Sequence, residues 1–457
     1  MRKIFIFLLL IIAFHSYLSA NDRLKISYES LFSSGENLPF WFVHNQNGKY
    51  PLNTSSAQLL SVQGKYGFEN VFYSPLSIEL GTNLVSSYGN EFGAHFNELY
   101  TKFTLWNWKL EAGLFKEPEY FHHLSSTNGH IDRSNNNRPY PRIRLATDEY
   151  IPFLFWKDWF RFKAEYDEGI LNDERVVKDT RLHHKSLFLK AIISGSVHVS
   201  VGMNHYVKWG GISPQYGELP SSFNDYITYI LGKQGTDNFP RTDQLNVAGD
   251  HLGSYHIQVD FPLNNFGEVS IYLSHPFEDK SGMELDNWID NLYGIYFDTK
   301  KNGIVSKVLY EYMYTIHQSG HIHQYGVMRG RDNYFNHGYY RTGFTYRGYS
   351  MASPLFSPVV PHETRQAIQN NRIAMHHVAV MGQLTENLQW NGKFTQSRNL
   401  GTYNNPYEED KMQITTLLSV DYSPEKLPFT ISISTAADYG QLYEKRTGVM
   451  LSLSKSW

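Results

Sequence analysis

The sequence predicts an all-β protein, a transmembrane antiparallel β-barrel of about 18 strands whose polar lumen is partly plugged by loops and one short helix. Three observations point there. The chain opens with a secretory leader, it alternates with period two along most of its 457 residues, and it combines many aromatics with a low mean hydropathy.

The leader comes first. Arg2 and Lys3 make a short basic region, Ile4 to Ala13 is an uninterrupted apolar stretch, and Leu18-Ser19-Ala20 ends in a small residue that suits a signal peptidase. A helix that crosses a bilayer needs about 20 apolar residues, and this run is shorter. Residues 1–20 are therefore expected to be a removed signal peptide, and 21–457 a single barrel domain exported to the cell outer membrane. The leader holds no Cys, so no lipoprotein anchor is expected there. With zero Cys in the whole chain, stability must come from strand pairing rather than disulfides.

After Ala20 no apolar run could cross a membrane as a helix, and the mean hydropathy is −0.43. Yet 16% of residues are Phe, Trp or Tyr, and the 33 Tyr outnumber the 29 Phe. A membrane barrel reconciles these facts, because only every second residue of a strand meets lipid. Tyr and Trp suit the two membrane–water interfaces, where an apolar ring ends in a polar tip. The net charge of −3 becomes −5 once Arg2 and Lys3 leave with the leader. Such a balance gives no basis for nucleic-acid binding, which goes with a basic excess.

The alternation is clearest near the end. Phe429, Ile431, Ile433, Ala437 and Tyr439 share one face, opposite Thr430, Ser432, Ser434, Asp438 and Gly440. Before Ser423-Pro424-Glu425-Lys426, a turn, Met412, Ile414, Leu418, Val420 and Tyr422 oppose Gln413, Thr415, Ser419 and Asp421. Two alternating runs joined by a tight turn make an antiparallel hairpin. Val197 to Asn204, Tyr255 to Phe261 and Val269 to Ser274 repeat the pattern, with small and polar residues on the face that suits a wet lumen. The last strand carries Val449, Leu451, Leu453 and Trp457 on one side, with Lys455 as an exception.

Short connections near Gly195, Leu263, Lys301, Thr385 and Pro424 are expected in the periplasm. Long ones, roughly 117–141, 171–183, 208–250, 277–288, 317–337 and 401–410, are expected outside the cell. An even strand number requires one more crossing between Gly348 and Arg372, and Leu38 to Gln46 as a further strand would raise the total to about 20. One helix is predicted from Phe223 to Leu231, capped by Ser221 or Ser222, with Asp225 near its start and Gly232 closing it, either at the surface or in the lumen.

Five segments carry a family resemblance. They are Leu38-Pro39-Phe40-Trp41-Phe42 with His44-Asn45-Gln46; Ser134 to Arg144 (SNNNRPYPRIR); Gly202-Met203-Asn204-His205, Lys208-Trp209-Gly210-Gly211 and Leu219 to Phe223; Tyr310-Glu311-Tyr312 through Gln318-Ser319-Gly320; and Asp332 to Asn336, leading to Pro354-Leu355-Phe356. Together, and in this order, they resemble the Wzi capsule-assembly family as it occurs in Bacteroidetes. The resemblance implies a monomeric barrel with a plugged lumen that holds capsular polysaccharide or exopolysaccharide at the cell surface without chemistry. Its other partners would be outer-membrane lipid and the barrel-assembly machinery. The segment Asn21 to Asn45 looks extended, whereas enterobacterial members carry a periplasmic helical bundle near the N-terminus.

Glycan binding needs aromatic faces for sugar rings, and amides and charges for hydroxyls and uronates. Trp209 and Tyr216 beside Lys208 offer these, as do Asp332, Asn333 and Tyr334. Arg133, Arg138, Arg142 and Arg144 form a cationic set suited to bidentate binding of carboxylates. The competing reading is that these arginines pair with lumenal carboxylates and stiffen the plug. Of the 20 His, the pairs His122-His123, His183-His184 and His376-His377 point to opposite faces of a strand, and His321 with His323 has no carboxylate to complete a set. No metal or other cofactor is expected. No Gly-x-Ser-x-Gly or His-Glu-x-x-His occurs, so a non-enzyme is expected. The alternatives are a porin-like channel or transporter and, after that, an outer-membrane lipid hydrolase.

Overall fold

Neighbouring side chains near the C-terminus enter opposite environments. Ile433 and Tyr439 are 50% and 62% exposed, whereas Ser434 and Asp438 are buried. The computed structural model describes residues 23–457 apart from 72–73, 154–158, 194–196, 279, 321, 325–326, 330 and 360–365. The leader region and the turn at Gly195 thus lie outside the described residues.

The same alternation runs through the whole barrel. Its strands begin with β1 (Arg23–Ser33), β2 (Ser56–Val71), β3 (Leu76–Tyr88), β4 (Phe92–Leu105), β5 (Trp108–Leu114) and β6 (Arg142–Thr147, continued by Ile151–Pro152). There follow β7 (Phe160–Leu171), β8 (Thr180–Ile193), β9 (Val197–Trp209), β10 (Asp250–Pro262), β11 (Glu268–Phe277) and β12 (Asn291–Asp298). The ring ends with β13 (Lys307–Tyr314), β14 (Ile373–Thr385), β15 (Leu388–Gly401), β16 (Pro406–Tyr422), β17 (Thr430–Gly440) and β18 (Arg446–Ser456). Each strand pairs antiparallel with the next, and β18 pairs with β1, so 18 strands close without an edge. Closure gives the first and last strands partners for their ladder groups, which a bilayer demands.

Outward positions are apolar: Val201, Ile257, Ile271, Leu418, Leu451 and Leu453 are exposed. Exposed aromatics mark both rims, with Trp106, Trp159 and Phe266 at one and Tyr88, Phe92 and Trp288 at the other. Lys455, the exception on the last strand, sits at its end with its ammonium 4.4 Å from the Trp457 ring, where a long side chain reaches the interface. All the long connections leave from one end of the barrel: 34–55, 115–141, 210–249, 278–290 and 315–372. The end that holds Arg23 and Ser456 carries only short turns, as expected of the periplasmic side.

Two expectations are corrected. No crossing lies between Gly348 and Arg372 among the described residues, because β13 pairs directly with β14 and buried residues such as Phe335, Phe344 and Phe356 from the chain between them pack in the lumenal core. The eighteen strands are complete without it. Leu38 to Gln46 is no strand either: Phe40–Val43 forms one helical turn, α1, led by Pro39. Proline cannot supply a ladder N–H but suits a helix start.

The lumen is drier than its polar wall suggests. Segments 34–55 and 115–141 and the described residues of 315–372 contribute to a shared core there, in which Phe40, Trp41, Ile131, Tyr334, Phe344 and Phe356 are buried. They are also stitched together. Asn47 N–H donates to Asn135 O at 2.7 Å, and Ser353 N–H donates to Ile131 O at 3.1 Å. Fully buried Asn136 joins all three, accepting from Asn45 N–H at 3.1 Å and donating to Ser350 O at 2.9 Å.

Candidate functional site

Above the plug, at the outer mouth, lies a cleft of about 680 Å³ lined by Phe40, His44, Asp173, Arg347, Tyr443 and Arg446, among others. Its floor follows from local sequence. Thr345–Tyr346 pairs with Tyr349–Ser350 across Arg347 and Gly348, whose φ angles are 49° and 82°. Two positive φ values define a tight hairpin turn that favours glycine, and the turn lifts Arg347 to its exposed tip. Arg347 N–H donates to Asp173 Oδ2 at 2.8 Å, and its guanidinium lies 5.5 Å from the Tyr346 ring.

Half-buried Arg138 is close enough for its cation to be disfavoured first by burial and then by the charge of Arg347. Arg138 Nη2 donates to Gly48 O at 3.4 Å, while its Nε has no partner among the described residues. Asp173 and Glu174 line the same cleft, yet among the described residues neither carboxylate forms an ion pair with the Arg138 or Arg347 guanidinium, a group that binds anions through two parallel hydrogen bonds.

Deeper in the lumen, the other arginines are spoken for. Glu117 binds Arg133, Arg142 and Arg144 at once, with Arg142 at 2.5 Å and Arg144 at 3.1 Å. Glu165 takes Arg133 at 2.8 Å, and Glu111 takes Arg144 at 2.8 Å. Burial alone would raise the Glu117 carboxyl, but the three guanidinium groups hold it well below the usual carboxylate range. Arg133, Arg142 and Arg144 therefore brace the plug against the wall. Their geometry follows the competing reading of the sequence, and a glycan would have to break ion pairs to reach them.

The remaining sequence candidates disperse. Lys208 is buried, points inward and pairs with Asp250. Trp209 points outward and is 5% exposed, covered by Tyr226 and Tyr229 of helix α2 (Phe223–Ile230). Ser222 caps α2 with a reciprocal bond to Asp225, as the sequence predicts. The helix lies on the outside of the rim, where the Tyr226 hydroxyl meets Tyr166 and Glu168 on the outward face of β7. Tyr216 remains 39% exposed with its ring edge on Tyr339 at 5.6 Å. Asp332 and Asn333 are half-buried, Asp332 accepting from Ser319 Oγ at 2.8 Å. Tyr334 is wholly enclosed and donates to Asp290 Oδ2 at 2.8 Å, so its face is closed to a sugar.

Of the adjacent His pairs, two split across the wall. His183 meets Glu168 outside at 2.6 Å while His184 meets Asp167 inside at 2.9 Å, and His376 meets Tyr310 while His377 accepts or donates at Thr395. The His122-His123 pair lies in a loop with left-handed backbone, and His321 lies outside the described residues. Arg347 was missed from the sequence, although an X-Gly pair between Tyr346 and Tyr349 is a hairpin signal that places it at a tip.

His44 gives the mouth a pH response. Its ring is 2.9 Å from Asn136 Oδ1 and packs on Phe40 at 4.2 Å. Burial pushes it down to about 4, against the opposing effect of the Asn136 bond. A histidine depressed in the folded state costs stability as pH falls from its unfolded value of about 6.5 to the folded one, because only the unfolded chain takes up the proton. Proteolysis of segment 34–55 should therefore speed up between pH 6.5 and 4 in the wild type. In His44→Gln that acceleration should shrink; an unchanged profile would remove His44 from the account.

Closed wall, aromatic rims, a lumen filled by loop segments and a cleft at the outer mouth define an outer-membrane β-barrel with an internal plug. A family model for the capsule assembly protein Wzi matches residues 27–359, and the chain belongs to that family. The solved Wzi of Escherichia coli, described as a carbohydrate-binding outer-membrane barrel involved in group 1 capsule assembly, is similar in fold. It is 14% identical at a TM-score of 0.59, covering 98% of this chain and 87% of that one. OccAB2 of Acinetobacter baumannii shares the barrel at 9% identity and a TM-score of 0.51, covering 96% of this chain and 98% of its own. No curated protein matches the sequence.

Proposed function

We propose that this barrel anchors an acidic capsular polysaccharide or exopolysaccharide at the cell surface by non-catalytic binding in the outer cleft. The observation that carries the reading is exposed Arg347 in a cleft of about 680 Å³ over the plug, with Arg138 near enough to feel its charge and Tyr443 and Asp173 on the cleft wall for sugar rings and hydroxyls. Membership of the capsule-assembly family and the carbohydrate binding of the Escherichia coli relative support the glycan as ligand. In this reading residues 1–20 direct export and are removed, 21–457 act as one monomeric domain, and the barrel-assembly machinery inserts it. Deleting the gene should shift polysaccharide from cells to medium while total synthesis stays constant. Cell-bound capsule at wild-type level in the deletion strain would overturn the proposal.

A further inference from the structure

Five residues from three parts of the chain meet where the plug touches the barrel wall. His130 and Asp132 come from segment 115–141, Asn204 from β9, and Ser254 and His256 from β10. His130 Nδ1 lies 3.2 Å from His256 Nε2, and one ligand atom from each of His130, Asp132 and His256 lies within 4.8 Å of the other two. The His–His separation matches two corners of a tetrahedron with metal–nitrogen bonds of about 2.0–2.1 Å.

Hydrogen bonding alone leaves this cluster unsatisfied. His256 Nε2 has three polar neighbours: His130 Nδ1 at 3.2 Å, Asn204 Nδ2 at 3.2 Å and Ser254 Oγ at 2.6 Å. One ring nitrogen can serve a single hydrogen bond. Meanwhile Asp132 Oδ2 and Asn204 Oδ1 are buried with no partner, and both residues are 0% exposed. A half-turn of the Asn204 amide would bring its oxygen to the position now 3.5 Å from Asp132 Oδ1.

We propose that His130, Asp132 and His256 bind a zinc ion, with Asn204 as the fourth ligand, and that the ion pins the plug segment 115–141 to the barrel wall. The cation supplies the missing partner for the Asp132 carboxylate and for the Asn204 oxygen, and it removes the contest at His256 Nε2. Two imidazoles, a carboxylate and an amide oxygen are ligands suited to this borderline ion. His130 and His256 line a lumenal cavity of about 220 Å³ with Tyr150, Lys163 and Lys190, so the cluster borders open space. The second buried group, Glu165, Asp167 and His184, makes a poorer candidate, since Arg133 and Arg142 already supply its cations.

The test uses the untagged full barrel in detergent, stripped with a strong chelator and titrated with zinc against a fluorescent indicator. One equivalent should bind, and His256→Ala and His130→Ala should each weaken it at least about tenfold. His122→Ala, which changes a histidine outside the cluster, should bind as the wild type does. X-ray absorption at the zinc edge should report two imidazole ligands. Should His256→Ala fail to fold, the loop variant His130→Gln carries the same expectation. Zinc affinity equal in wild type and in His130→Ala or His130→Gln, or no stoichiometric binding by the wild type, overturns the proposal.

Discussion

Replacing Glu117 by Gln should cost the barrel about 3 kcal/mol or more, the scale of breaking a buried ion pair from one side. Glu117 is the carboxylate that Arg133, Arg142 and Arg144 share, and all three guanidinium groups are at most 10% exposed in their side chains. Gln keeps the shape and removes the charge, so the three cations would repel each other with only Glu111, Glu165 and Asp167 to answer them. Urea unfolding in lipid vesicles, followed by Trp fluorescence, measures the cost. Glu111→Gln touches Arg144 alone and should cost less. A loss for Glu117→Gln below about 1 kcal/mol would mean the network is hydrated and worth no more than a surface pair.

The second large effect is at Glu311 on β13. Its carboxylate is 0% exposed and accepts from Ser125 Oγ at 2.6 Å, Ser126 N–H at 2.8 Å, Ser126 Oγ at 2.5 Å and Tyr272 OH at 2.6 Å. Tyr272 reaches it by lying across Gly294, where an added Cβ would come within 1.9 Å of the ring. Glu311→Ala would strand four buried donors, each worth about 1–3 kcal/mol when left unpaired. Segment 121–130 should then detach from the wall, exchange its amides faster and let current through the lumen. Planar-bilayer recording should find the wild type nearly closed and Glu311→Ala conducting. Equal conductance in the two would mean that this segment does not seal the barrel.

Why the wall was legible and the plug was not has a physical cause. In β17 and β18 each residue faces either lipid or lumen, so Ile433, Ser434, Leu451 and Ser452 print a period of two into the sequence. The capped helix at Ser222 is equally local, since its bonds close within three residues. Segment 315–372 has no such period. Phe335, Phe344 and Phe356 are buried by contact with one another and with Phe40 and Trp41, and no repeat predicts which loop residue meets which. The same holds for the sites. The arginine cluster was visible as a dense motif, but its carboxylates on β5 and β7 meet it only once those strands pair on either side of β6, in a register the motif does not encode. Arg347 finds Arg138, and His130 finds His256, through tertiary contact alone.

Binding of purified acidic capsular polysaccharide to the barrel in lipid nanodiscs, wild type beside the Arg138→Ala/Arg347→Ala double variant, probes the account most directly. The wild type should bind in a salt-sensitive manner, and the double variant should lose at least about tenfold in affinity, roughly 1.4 kcal/mol, with its melting temperature unchanged. Equal affinity in the two proteins, or no binding by the wild type, would contradict a cationic glycan site at the mouth of this barrel.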